Sequence, residues 1–111
     1  MEFATIKETL RKIKDKKVSL IELNNIFINR IKENVNLNAF IYFDENKIFD
    51  QIKELEFSKK DFFLKGIPIG IKDLFCTQNM PTTAGSKMLN NFNPTYESFV
   101  TKKLLNEGCV F

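Results

Sequence analysis

The chain has 111 residues, of which 43% are hydrophobic and 28% charged, with a formal net charge of +3. That is enough for one small domain with a core, and the charge is too mild to argue for a nucleic-acid partner. Its lysine pairs (Lys16-Lys17, Lys59-Lys60 and Lys102-Lys103) read as solvated faces or turns rather than a phosphate-binding patch.

Histidine is absent and the two cysteines, Cys76 and Cys109, do not form a CxxC pair. A Ser-His-Asp or Cys-His device therefore cannot be built from this chain alone. A zinc centre or disulfide framework is not expected either, and the cysteines read as small apolar residues in a reducing cytosol. The opening MEFATIKETLRKIKDKK has early acids and no continuous apolar core, unlike a signal peptide. No apolar run approaches the length of a membrane span. The expectation is a soluble, cytoplasmic protein with no membrane partner.

Ile6, Leu10 and Ile13 recur at helical spacing, and the pattern ends at Asp15. Ser19-Leu20-Ile21-Glu22 is a capping box, opening a second helix with Leu20, Leu23, Phe27 and Ile31 on one face and ending among Asn34, Asn36 and Asn38. Residues 39–43, AFIYF, are dense in aromatic and β-branched side chains and predict a strand. Asp44-Glu45 starts a third helix with Ile48, Phe49, Ile52 and Leu55 on one face. Ser58 to Asp61 reads as an exposed turn.

Residues 67–71 predict a second strand, with Pro68 near its start or on an edge. Residues 76–84 look irregular, Gly85 to Leu89 make one helical turn, and 90–95 form a loop. Glu97 to Asn106 predicts a helix with Phe99, Val100, Leu104 and Leu105 on its face. Gly108 ends it, and Cys109-Val110-Phe111 begins a third strand. The order α, α, β, α, β, irregular, α, β predicts an α/β layer fold.

The stretch GIPIGIKD, residues 66–73, poses a chemical question. Alternation puts Ile67, Ile69 and Ile71 on one face and Pro68, Gly70 and Lys72 on the other. Gly70 opens space beside Lys72. A lysine buried there would lose solvation, favour its neutral form and serve as a base toward a hydroxyl. The plainer alternative, favoured by the residues alone, is a solvated strand end beside Asp73. Cys76 and the Phe62-Phe63 pair read as structural.

The run from Leu64 to Asp73 resembles the early block of amidase-signature enzymes. Cys76-Thr77, then Pro81 to Leu89 (PTTAGSKML), then Phe92, Pro94, Tyr96 and Val100, and finally Glu107-Gly108-Cys109-Val110, follow in the order that family shows. Within it the likeness is nearest to the A-subunit branch of the glutamyl-tRNA(Gln) amidotransferases, which the N-terminal helix pair also fits.

The resemblance implies an α/β fold, with N-terminal helices and the first strands of an incomplete mixed sheet. Residues 1–111 would be the N-terminal part of an amidase-signature domain, truncated before its serine-rich segment. It implies that Lys72 is the base of a Ser–cis-Ser–Lys triad and reverses the weighing made from the residues alone. It also implies amidotransferase B and C subunits as partners, tRNA engaged mainly through a partner, and no cofactor in this chain, ATP being used at a partner subunit.

The departure is that no glycine- and serine-rich segment occurs here. Ser86, beside Gly85, reads as a turn or cap and Ser98 as a first-turn helix residue, not as the two missing serines. Oxyanion donors are missing too. The expectations are an inactive piece when alone, exposed strand edges and a partly uncovered apolar face. The competing readings are a piece of another amidase-signature hydrolase acting on small amides, and a non-catalytic module that docks a partner.

Overall fold

Side-chain caps punctuate the helices of this chain. The computed structural model describes residues 5–78 and 80–111. The N-terminal stretch read as unlike a leader thus lies partly outside the described residues, as does Asn79 in the irregular segment. Helix α1 spans Ile6–Lys14 and is capped by Thr5, whose hydroxyl accepts from Glu8 N at 3.1 Å. Helix α2 spans Leu20–Glu33 and carries the expected capping box, with Glu22 N donating to Ser19 Oγ at 3.1 Å and Ser19 N donating to Glu22 Oε2 at 2.8 Å. A 3-10 turn follows at Val35–Leu37. Helix α3, Glu45–Phe57, starts at Asp44, whose Oδ1 accepts from Asn46 N and Lys47 N. Helix α4, Phe99–Asn106, starts at Ser98, which accepts from Thr101 N at 3.2 Å.

The end of α4 is a Schellman motif. Gly108 N donates to Leu105 O at 3.0 Å and Cys109 N to Leu104 O at 3.1 Å. Gly108 has φ of 88°, and a Cβ there would sit 2.7 Å from Phe62 Cβ. Glycine is required on both counts.

Two small apolar clusters share Ile13. One joins Leu20, Ile52, Leu55 and Val110; the other joins Val18, Leu23 and Ile67. Each takes one face of α2 or α3, as the 3.6-residue periodicity predicts. The faces differ in detail from the expectation. Asn24 and Ile28 are buried on α2, where Phe27 and Ile31 are only half-buried. On α4 the buried residue is Thr101, while Phe99 is 75% exposed and Val100 is exposed.

The expectation of an α/β fold with the first strands of a mixed sheet is overturned. Among the described residues 47% are helical and 2% are strand, with no sheet. Residues 39–43 form no backbone hydrogen bond among the described residues, and Ile41 is 72% exposed. Residues 67–71 and 109–111 meet in one isolated parallel bridge, Pro68 to Val110. Val110 N donates to Ile67 O at 2.9 Å and Ile69 N to Val110 O at 2.8 Å. Apolar, β-branched residues favour an extended backbone, but a sheet needs a ladder of partners. No described segment pairs with 39–43, and 67–71 is paired on one side only. Pro68 fits there because this bridge uses the groups of its neighbours and asks for no amide hydrogen from Pro68 itself.

Candidate active site

Gly66 turns the chain into the GIPIGIKD segment. Its φ is 77°, and a Cβ there would lie 2.4 Å from Leu20 Cδ2. The buried Asn24 amide donates to Gly66 O at 3.0 Å and to Leu20 O at 2.9 Å, fixing the corner to α2. Beyond it the chain is extended without being a strand, and it ends in a tight turn. Lys72 O accepts from Leu74 N at 2.7 Å and Phe75 N at 3.0 Å.

Lys72 therefore stands at a turn rather than at the end of a sheet strand. It is exposed, and its ammonium has no hydrogen bond or ion pair with a described residue. It lines an open cleft of about 810 Å³, together with residues 39–42, the 70–75 segment and Thr82 to Gly85. Gly70 lies on the same wall. Its nearest contact for an added Cβ is Phe40 Cε1 at 3.8 Å, an ordinary separation, so Gly70 opens the wall without a forced close approach.

The residue that organises this wall is Asp73. Its Oδ1 accepts from Thr83 N at 2.6 Å, and its Oδ2 accepts from the Thr83 hydroxyl and from Gly85 N at 3.3 Å. Its backbone carbonyl accepts from Ala84 N at 2.8 Å. Burial pushes the Asp73 carboxyl upward, but the hydrogen bonds from Thr83, Gly85 and Ala84 outweigh it and hold the group below the usual carboxylate range. Three successive residues, with Ala84 and Gly85 at positive φ, thus wrap one aspartate.

A second clamp holds the other side. The Thr77 hydroxyl and Gln78 N donate to Glu97 Oε1 at 3.0 and 2.9 Å, and Cys76 O accepts from Ser98 N and the Thr101 hydroxyl. Buried threonines here supply the partners that an irregular backbone requires. Ser86 and Ser98 are both caps, on Met88 N and Thr101 N. Cys76 contributes a long contact from Sγ to the Tyr96 hydroxyl at 3.5 Å. Cys109 is buried, and burial together with the nearby Glu107 charge pushes its thiol up. Sequence reasoning singled out Lys72 but missed the partnership of Asp73 with Thr83. The only signal was the recurrence of polar, small residues at 82–86.

A second cleft, of about 550 Å³, is largely apolar and lies between α2, α3 and the extended segments, with Phe27, Ile31, Phe40, Phe43 and Ile69 on its walls. It matches the uncovered apolar face expected from the sequence. No helix of the described residues is long and apolar enough to cross a membrane.

Comparison with known proteins gives a consistent result. The family model described as Amidase matches residues 22–111. The chain is 45% identical over 108 residues to the A subunit of the glutamyl-tRNA(Gln) amidotransferase of Pelagibacter ubique, covering 96% of this chain and 22% of that protein. It is 41% identical over 110 residues to the same-named protein of Marinomonas sp. (96% and 23%), and 43% identical over 107 residues to that of Gluconobacter oxydans (89% and 21%). The chain thus spans about a fifth of the length of these curated relatives. With the family model matched over most of its residues, from α2 through the Lys72 cleft to Phe111, the chain belongs to the amidase family.

Proposed function

We propose that this chain forms the N-terminal part of an amidase-signature domain and contributes the lysine base of a glutamine-hydrolysing amidotransferase. The observation that carries the reading is the setting of Lys72. Its ammonium is exposed and unpartnered among the described residues, and it faces an open cleft on a wall pinned by Asp73. The names of the relatives support the glutamyl-tRNA(Gln) branch.

In this reading Lys72 takes a proton from a bridging serine. That serine takes the proton of the nucleophilic serine, which attacks the side-chain amide carbon of glutamine. The C–N bond breaks, the proton passes to the leaving nitrogen, and ammonia departs from an acyl-enzyme that water then opens. Both serines belong to a segment that these 111 residues do not contain. The ammonia goes to glutamyl-tRNA(Gln) activated with ATP on a partner chain, with B and C subunits completing the assembly.

A graft tests this. The chain replaces the matched stretch of the Pelagibacter ubique relative, and ammonia release from glutamine is measured with and without Lys72→Ala. General-base loss predicts a fall of about 10²–10⁴-fold. Unchanged release would exclude Lys72 as the base.

A further inference from the structure

We infer that Asp73 is a positioning residue for Lys72, holding the cleft wall in register by gathering Thr83, Ala84 and Gly85 onto the residue next to the lysine. The inference rests on the reading of Lys72 as the base. Asp73 is assigned no contact with the substrate or the reacting atoms.

The geometry argues for more than a generic loop contact. Asp73 is held at two separate places, its carboxylate and its own carbonyl, by three consecutive residues of one turn. Lys72 O is meanwhile closed by the amides of Leu74 and Phe75. The peptide units on both sides of Asp73 are therefore fixed, while the Lys72 side chain is left exposed. The Thr83 hydroxyl also accepts from Gly85 N at 3.2 Å, so it braces the turn while donating to Asp73. A charged acceptor makes these bonds stronger than neutral ones. Ala84 and Gly85 sit at φ of 49° and 67°, a backbone geometry kept in place by its partners.

Loss of the clamp would let the wall move relative to whatever the ammonium must reach. A misplacement of about 1 Å at a reacting group costs about 10²-fold in rate. An effect on orientation appears in kcat, while binding of glutamine elsewhere in the site keeps KM.

The grafted protein described above is compared as the parent and as Asp73→Ala, Thr83→Val, Thr83→Ser and Lys72→Ala. Asp73→Ala is expected to lower kcat by at least about tenfold, with KM within about twofold. Thr83→Val should fall in the same direction, and Thr83→Ser, which keeps the hydroxyl, should stay within about twofold of the parent. To separate positioning from a folding defect, amide exchange is also read in the 111-residue chain carrying Asp73→Asn. Exchange should quicken at Thr83 and Gly85 and stay unchanged at Leu23 and Ile52. A parental kcat in Asp73→Ala, equal losses in Thr83→Ser and Thr83→Val, or unchanged exchange at Thr83 and Gly85 would each overturn the inference. An active Lys72→Ala graft would instead remove the reading of Lys72, whatever the clamp does.

Discussion

Gln51 and Phe111 are joined as two neighbouring strands would be. Phe111 N donates to Gln51 Oε1 at 2.9 Å, and Gln51 Nε2 donates to Phe111 O at 3.1 Å. A side-chain amide from α3 thus stands in for a peptide group and ties the helix to the segment after α4. Gln51→Ala should cost about 1–2 kcal/mol in urea unfolding, since it strands one backbone donor and one acceptor. Gln51→Glu keeps the acceptor for Phe111 N but sets a carboxylate oxygen against Phe111 O, so it should cost at least as much as Gln51→Ala.

The two glycines of the GIPIGIKD segment should respond differently to alanine. Gly66 combines a positive φ with a Cβ position 2.4 Å from Leu20 Cδ2 in the core. Gly66→Ala should cost about 2 kcal/mol or more. Gly70→Ala meets only Phe40 at 3.8 Å and should stay within about 0.5 kcal/mol of the parent. Equal losses would show that the corner is not what holds this segment.

Acid should unfold the chain partly through Glu22 and Asp73. Bonding to Ser19 lowers the Glu22 carboxyl. At Asp73, burial acts upward, but the bonds from Thr83, Gly85 and Ala84 prevail. A carboxyl depressed in the folded state adds stability that is present above its unfolded value, about 4, and lost as pH falls through the folded value. Stability should therefore drop from about pH 4 downward. Asp73→Asn should flatten that acid limb while leaving the capping box of α2 in place. A limb of unchanged slope in Asp73→Asn would contradict the assignment.

The apolar cleft between α2 and α3 should be visible to a dye. Phe40 is 50% exposed and lines both clefts. An exposed apolar patch of this kind should enhance anilinonaphthalene sulfonate fluorescence at neutral pH, with helical circular dichroism intact. Phe40→Ser should reduce the enhancement without loss of helicity.

The helices were legible because their signals are local. Ser19 and Glu22 announce a cap three residues apart, and Leu20 and Leu23 show which side is buried. The sheet was misread because strand formation depends on partners that periodicity does not reveal. AFIYF has the composition of a strand and Ile67 to Ile71 the alternation, yet the only bridge among the described residues joins Pro68 to Val110. Lys72 was legible as a candidate, but its exposed setting was not, because burial depends on what surrounds the turn. The Asp73–Thr83 contact spans ten positions through irregular chain, where no repeat marks it. Thr101 was hidden for a similar reason: its hydroxyl satisfies Cys76 O from a helix face expected to be apolar.

The proposed role of Lys72 as the base of an amide hydrolysis requires a nucleophile from outside these 111 residues. Ammonia release from glutamine is therefore measured on the isolated chain and on the graft with the serine-bearing remainder of the Pelagibacter ubique relative, each with Lys72 and with Lys72→Ala. Release is predicted only from the graft with Lys72 intact. Release from the isolated chain that Lys72→Ala abolishes, or from the graft regardless of Lys72, would contradict that role.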